Sequence, residues 1–171
     1  MIINAYPLII FGRLNRIDIL KNLYREIKVS NEVYNKVVLK GIEKNSMDAF
    51  IVKEQIENNI IRIISLNEKF SSLSNKIKEI YNIDIGEAET ISLALQLGEK
   101  EAIIDEISAR EAAKAFGIKP IGSLRVLLIA YKNKSISKSE IKDLVNEMEN
   151  TKYRLSPKVL IEFWRLLENI R

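Results

Sequence analysis

Between Asp84 and Lys132 the chain reads DIGEAETISLALQLGEKEAIIDEISAREAAKAFGIKPIGSLRVLLIAYK, switching repeatedly between a helical apolar period and short apolar runs. The spacing predicts helix from about Gly86 to Leu97, strand from Ala102 to Asp105, helix from Glu106 to Phe116, a short strand from Lys119 to Ile121, and helix from Ser123 to Lys132. Strands joined through helices pair in parallel, and open parallel sheets bind ligands beyond the carboxyl ends of their strands. The strand ending at Asp105 delivers its carboxylate to that edge, and Glu87, at the head of the preceding helix, reaches toward the same edge. Two converging acids in a chain with no histidine and no cysteine suit a hard divalent cation held by oxygen ligands.

The rest of the chain extends the same alternation. Met1 to Ala5 reads as the first strand, with Pro7 opening a short helix, a turn at Gly12 to Asn15, and a helix from Arg16 to Tyr24. Ile27 to Val29 is a second strand, after which Ser30 caps a helix that stops at Gly41. A helix from Asn45 to Asn58 carries Met47, Phe50, Ile51 and Gln55 along one side, Ile60 to Ile64 forms an edge or half-buried strand, and Leu66 to Tyr81 is helical. Two helices close the chain: one opened by the capping box Ser137 to Glu140, one by Ser156-Pro157 with Leu160, Phe163 and Leu167 on a face. The expectation is an α/β domain over residues 1–135, with a helical appendage over 136–171 packed on it.

Composition removes whole classes of chemistry. At 171 residues with 47% apolar side chains, the chain is long enough for one well-cored domain. Without His or Cys it builds no thiolate or imidazole zinc site, no Ser-His-Asp triad and no cysteine nucleophile. No signal-like start and no membrane-spanning run is read, so a cytoplasmic location is expected. No G-x-G-x-x-G or G-x-x-x-x-G-K-[ST] loop is present, which argues against a nucleotide-phosphate site. The net charge of +4 gives weak support for an acidic partner such as RNA.

Each candidate acid also has a capping explanation. Asp84-Ile85-Gly86-Glu87 is a capping box, and Asp105 is a natural N-cap for a helix beginning at Glu106, which pairs with Arg110 one turn on. Caps outnumber metal sites in ordinary α/β proteins, but the roles are compatible: a carboxylate at a helix N-terminus can face an amide and a cation.

These blocks, GEAETISLALQLG followed by AIIDEISAREAAKAFGIKPIGSLRVLLIAYKNKSIS, resemble the uncharacterised branch of the PIN-domain superfamily, the predicted nucleic acid-binding proteins. The opening IINAYPLIIFGRLNRIDIL, the segment KVSNEVYNKVV and the closing KYRLSPKVLIEF are similar to that family's first strand, second helix and last helix. The resemblance spans nearly the whole chain. It implies a three-layer α/β/α fold around a central, mainly parallel sheet of about four to five strands. It also implies relatives that are Mg²⁺- or Mn²⁺-dependent ribonucleases, many of them VapC-type toxins of toxin–antitoxin pairs.

Carried over residue by residue, the resemblance makes Glu87, Asp105 and Glu106 members of the family's acidic cluster. Asn4 stands where active members carry Asp, and an amide carbonyl can coordinate Mg²⁺ without bringing charge. The acid of the second helix falls near Asn35-Lys36, leaving Glu32 one turn earlier as the nearby substitute. Asn4, Glu87 and Asp105 are thus the catalytic candidates, and Glu87, Asp105, Glu106 and Glu32 the metal candidates. The alternative is a catalytically degenerate module of the same fold that binds RNA or a small antitoxin-like protein. Apolar faces on the helices at Ser123 to Lys132 and Pro157 to Ile170 point to a homodimer.

Overall fold

The computed structural model describes residues 1–151, 153 and 155–170; Lys152 and Arg154, part of the closing block, lie outside the described residues. A five-stranded, all-parallel sheet forms the middle layer, with β1 (Ile2–Ile3), β2 (Ile27–Ser30), β3 (Ile61–Ile64), β4 (Glu101–Ile103) and β5 (Lys119–Ile121) in the order β3-β2-β1-β4-β5. The chain works outward from the centre in one direction through β1, β2 and β3, then returns to the other side of β1 for β4 and β5. The reversal lies between β1 and β4, where Ile2 pairs with Ala102 and Ile3 with Ile103. At such a switch point the flanking connections diverge and leave a crevice at the carboxyl edge.

Helices cover both faces because alternate strand residues point to opposite sides. Ile3 and Ile103 enter one apolar cluster with α1 (Ala5–Arg13), α2 (Ile17–Leu23), α9 (Ser123–Lys132), α10 (Lys138–Asn150) and α11 (Pro157–Glu168). Ile2, Ala102 and Ile104 enter a second cluster with α6 (Glu68–Tyr81), α7 (Ile85–Leu97) and α8 (Ile107–Ala115). The two closing helices seat Ile141, Leu144, Val145, Met148, Phe163 and Leu167 in the first cluster. The apolar face of α9 is spent there too, with Leu124, Val126, Leu127 and Leu128 buried, which leaves Val159 and Ile161 of α11 as exposed apolar residues in this region.

Several local expectations change. β1 is shorter than Met1 to Ala5 because Asn4 already serves as N-cap of α1; Pro7 then sits in the first turn, where a missing N–H costs nothing. Helical structure does not stop at Gly41: α3 (Asn31–Tyr34), a π-helical turn (Asn35–Leu39) and α4 (Lys40–Glu43) run on as one segment. A Cβ on Gly41 would lie 2.5 Å from Ala49 Cβ, so this glycine permits close approach of α5 (Met47–Glu57) instead of ending a helix. Gly12 likewise lies inside α1 against Asp48 and Val52. On α5 the inward residues are Asp48, Ala49 and Val52, whereas Met47 and Phe50 are exposed. The stripe read from the sequence is therefore the wrong face, because two glycines pull the small side of this helix inward. No helix among the described residues is long and apolar enough to cross a membrane.

Candidate functional site

Asn4 and Glu106 reach the carboxyl edge from the two strands that flank the switch point. β1 ends at Ile3, and the Asn4 N–H donates to Ile103 O at 2.9 Å, so the residues that leave β1 and β4 stay bound to one another. Asn4 is buried, and although it is the N-cap of α1 its side chain makes no capping bond. Its Nδ2 donates to Glu106 Oε2 at 3.1 Å, and its Oδ1 accepts from Thr90 Oγ1 at 3.3 Å. Thr90 lies one turn after Glu87 on α7 and also donates to Gly86 O at 2.8 Å. The Asn4 amide nitrogen and the Glu106 carboxylate are thereby fixed beside each other, with the amide carbonyl turned to Thr90.

Glu87 enters from the head of α7, whose N-cap is Asp84. The capping box is reciprocal: Asp84 Oδ1 accepts from the Glu87 N–H at 2.9 Å, and Glu87 Oε2 accepts from the Asp84 N–H at 2.8 Å. Burial raises the Glu87 pKa, the Asp84 N–H opposes the rise, the Asp84 charge adds to it and Lys36 again opposes it. Lys36 forms its ion pair with Asp84, at the rim of the site. Burial would push the Asp84 carboxyl up, but the bond from Lys36 and the backbone donors Glu87 and Gly86 outweigh it and hold the carboxyl low. Lys36 thus acts on both Asp84 and Glu87.

Glu106 is strongly perturbed by its surroundings. Burial lifts its pKa to about 7, the nearby charges of Glu87 and Asp105 add to the rise, and the bond from Asn4 offsets part of it. Asp105 is committed elsewhere: Oδ1 accepts from the Ser123 N–H at 2.7 Å and Oδ2 from Ser123 Oγ at 2.6 Å. The Tyr153 hydroxyl lies near enough to favour its charged form. Enclosure raises the Asp105 pKa, against the pull of Ser123, Tyr153 and the Arg110 charge. It therefore caps α9, and the expectation that it caps α8 is corrected: α8 begins at Ile107 with Glu106 as an N-cap that makes no side-chain bond. The expected Glu106–Arg110 pair gives way as well, since Arg110 Nη1 donates to Ile104 O at 2.8 Å.

Glu32 has partners of its own on the α3 side. It accepts from Asn35 Nδ2 at 3.3 Å and lies 3.9 Å from Lys40 Nζ, with its Cγ 3.8 Å from where a Cβ on Gly86 would sit. Among the described residues no three carboxylates converge as a ready metal cage. The structure therefore joins Asn4 directly to Glu106, puts the Glu87 charge within electrostatic reach of Glu106, and ties Asp105 to Ser123 at the start of α9.

A family model described as a PIN domain matches residues 1–169. The chain belongs to the PIN-domain family. Comparison with curated proteins and with solved structures returns no match. The five-stranded parallel sheet flanked by helices is the fold expected of a PIN domain, and the superfamily is one of nucleic acid-binding nucleases. Three residues that shape this PIN site escaped sequence reasoning: Thr90, Ser123 and Tyr153. Thr90 was findable, being one helical turn from Glu87; Ser123 followed the last strand at the same sheet edge. Tyr153 gave no local signal, because its place depends on how the closing helices pack.

Proposed function

We propose that this PIN domain binds RNA at the switch-point edge and hydrolyses its phosphodiester bonds with Mg²⁺ or Mn²⁺. The observation that carries the reading is Glu106: a carboxyl lifted to about 7 by burial and by two neighbouring acids marks a place where a cation relieves repulsion. The donors present fit such an ion. Mg²⁺ keeps several waters and needs only one or two protein carboxylates. Glu87 and Glu106 would supply these, with the Asn4 amide nitrogen orienting Glu106. Bound there, the ion would supply charge neutralisation at the scissile phosphate and a more acidic water.

The chain's own residues do the positioning. Asn4 Nδ2 holds the Glu106 carboxylate in place, and Thr90 fixes the Asn4 amide so that its nitrogen faces Glu106. Glu106 titrates near neutrality, so its carboxyl can hold or release a proton at working pH. Asp105 fixes the start of α9 and adds negative charge behind Glu106. The test is cleavage of single-stranded RNA in Mn²⁺. Wild type cuts, while Glu87→Gln and Glu106→Gln each lose at least about 100-fold in rate; equal activity in both variants rules the assignment out.

A second reading is favoured by the engagement of both Asp105 oxygens and by the neutral amide at Asn4. In it the domain is catalytically degenerate and binds RNA or a small antitoxin-like protein, in a cytoplasmic setting, as a homodimer through the exposed Val159 and Ile161 side of α11. Purified protein that cuts no RNA in Mn²⁺ yet carries a small partner decides for it.

A further inference from the structure

Beside the acidic edge runs a cleft of about 570 Å³, whose lining includes Arg13, Lys36, Lys40 and Lys44. It borders the head of α7 just before Glu87, since Asp84, Ile85 and Gly86 also line it. The three lysines fall four residues apart along the helical segment 31–43 and its C-cap, so each step advances about 6 Å along the helix. Like charges at this spacing repel and cost helix stability. Lys36 and Lys40 bracket most of the π-helical turn, a local irregularity that occurs frequently at functional sites.

The ion pairs loosen with distance from the acids. Lys36 is paired with Asp84; Lys40 lies 3.9 Å from Glu32 and is about half exposed; Lys44 makes no ion pair among the described residues. Arg13, at 3.5 Å from Asp48, faces the same space from α1. Ile9 and Val37 give the cleft an apolar floor. An opening of this volume falls in the size range of small-ligand clefts.

We propose that Lys36, Lys40 and Lys44, with Arg13, form a phosphate track that leads a single-stranded nucleic acid away from the Glu87–Glu106 edge. The proposal rests on the nucleic acid reading above and deepens it by naming where the strand lies. An apolar floor and a wall whose four cations outnumber the three lining carboxylates, Glu32, Asp48 and Asp84, match a polyanion with flat bases. The lysines furthest from the acids are the least committed, so they gain most from phosphate.

The experiment is fluorescence anisotropy of a labelled single-stranded oligouridine in EDTA, over a salt series, with the full chain. EDTA separates binding from hydrolysis. Wild type binds with affinity that falls steeply with salt, and Lys40→Ala/Lys44→Ala weakens binding at low salt by at least about 10-fold and flattens the log–log salt slope by about 1.4. Lys132→Ala/Lys134→Ala, on the far turn after α9, leaves both unchanged, and thermal melts check that each variant is folded. A wild type that binds no oligouridine, coincident slopes for wild type and Lys40→Ala/Lys44→Ala, equal weakening by the control pair, or tighter binding of a duplex overturns the track. Binding through the lysines without cleavage in Mn²⁺ overturns the nuclease reading alone, whereas cleavage at a rate indifferent to Lys40 and Lys44 overturns the track alone.

Discussion

Replacing Glu106 with Gln should change how stability depends on pH. A carboxyl whose pKa moves from an ordinary 4.5 to about 7 on folding costs the folded state at most about 3 kcal/mol once fully ionised, less whatever solvent contact remains. Below the unfolded value both states hold the proton, and the group contributes nothing. Between 4.5 and about 7 only the folded state holds it, so stability falls as pH rises; above that window the loss is complete. With no histidine in the chain, no imidazole obscures these pH values. Gln keeps the shape and can still accept from Asn4 Nδ2. Urea denaturation between pH 5 and pH 8 should show wild type losing stability, with Glu106→Gln losing about 2 kcal/mol less across the range. Some slope persists, since burial raises Glu87 and Asp105 in the same sense. Parallel curves for the two proteins would refute the assignment of Glu106 as the strained acid.

Three further outcomes follow from individual contacts. Gly41→Ala forces a methyl group against Ala49 and should cost about 1–3 kcal/mol by thermal or urea unfolding, with an unchanged transition showing that α4 and α5 are not closely packed. Ser123→Ala removes a donor from Asp105 and should destabilise by about 1–3 kcal/mol in urea unfolding; an unchanged transition would contradict this. Lys36→Ala withdraws positive charge from Glu87, so Mn²⁺ affinity measured by calorimetry should rise several-fold, and a fall would mean that Lys36 helps to build the site.

The alternation of strands and helices was legible because period and punctuation agree along the chain, and the capping boxes at Asp84 and Ser137 stand as read. The sequence reading failed where a residue serves a tertiary neighbour. Gly41 has the composition of a helix stop, yet its hydrogen side faces Ala49. Met47 and Phe50 look like a core stripe, yet packing against two glycines selects the opposite face of α5. Asp105 was expected to cap the helix that follows it in sequence. It caps the next one instead, because β4 and β5 are neighbours and place Ser123 within reach. Asn4 and Glu106 share an edge through sheet order, which only the pairing of β1 with β4 reveals.

The central claim is that Glu87 and Glu106, with Asn4, hold one divalent cation at the switch point. Calorimetric titration of the metal-free protein with Mn²⁺ tests it without reference to any substrate. The account predicts one site per chain in wild type, accompanied near pH 7 by proton release from Glu106, and loss of that site in both Glu87→Gln and Glu106→Gln. Unchanged stoichiometry and affinity in either variant would contradict it.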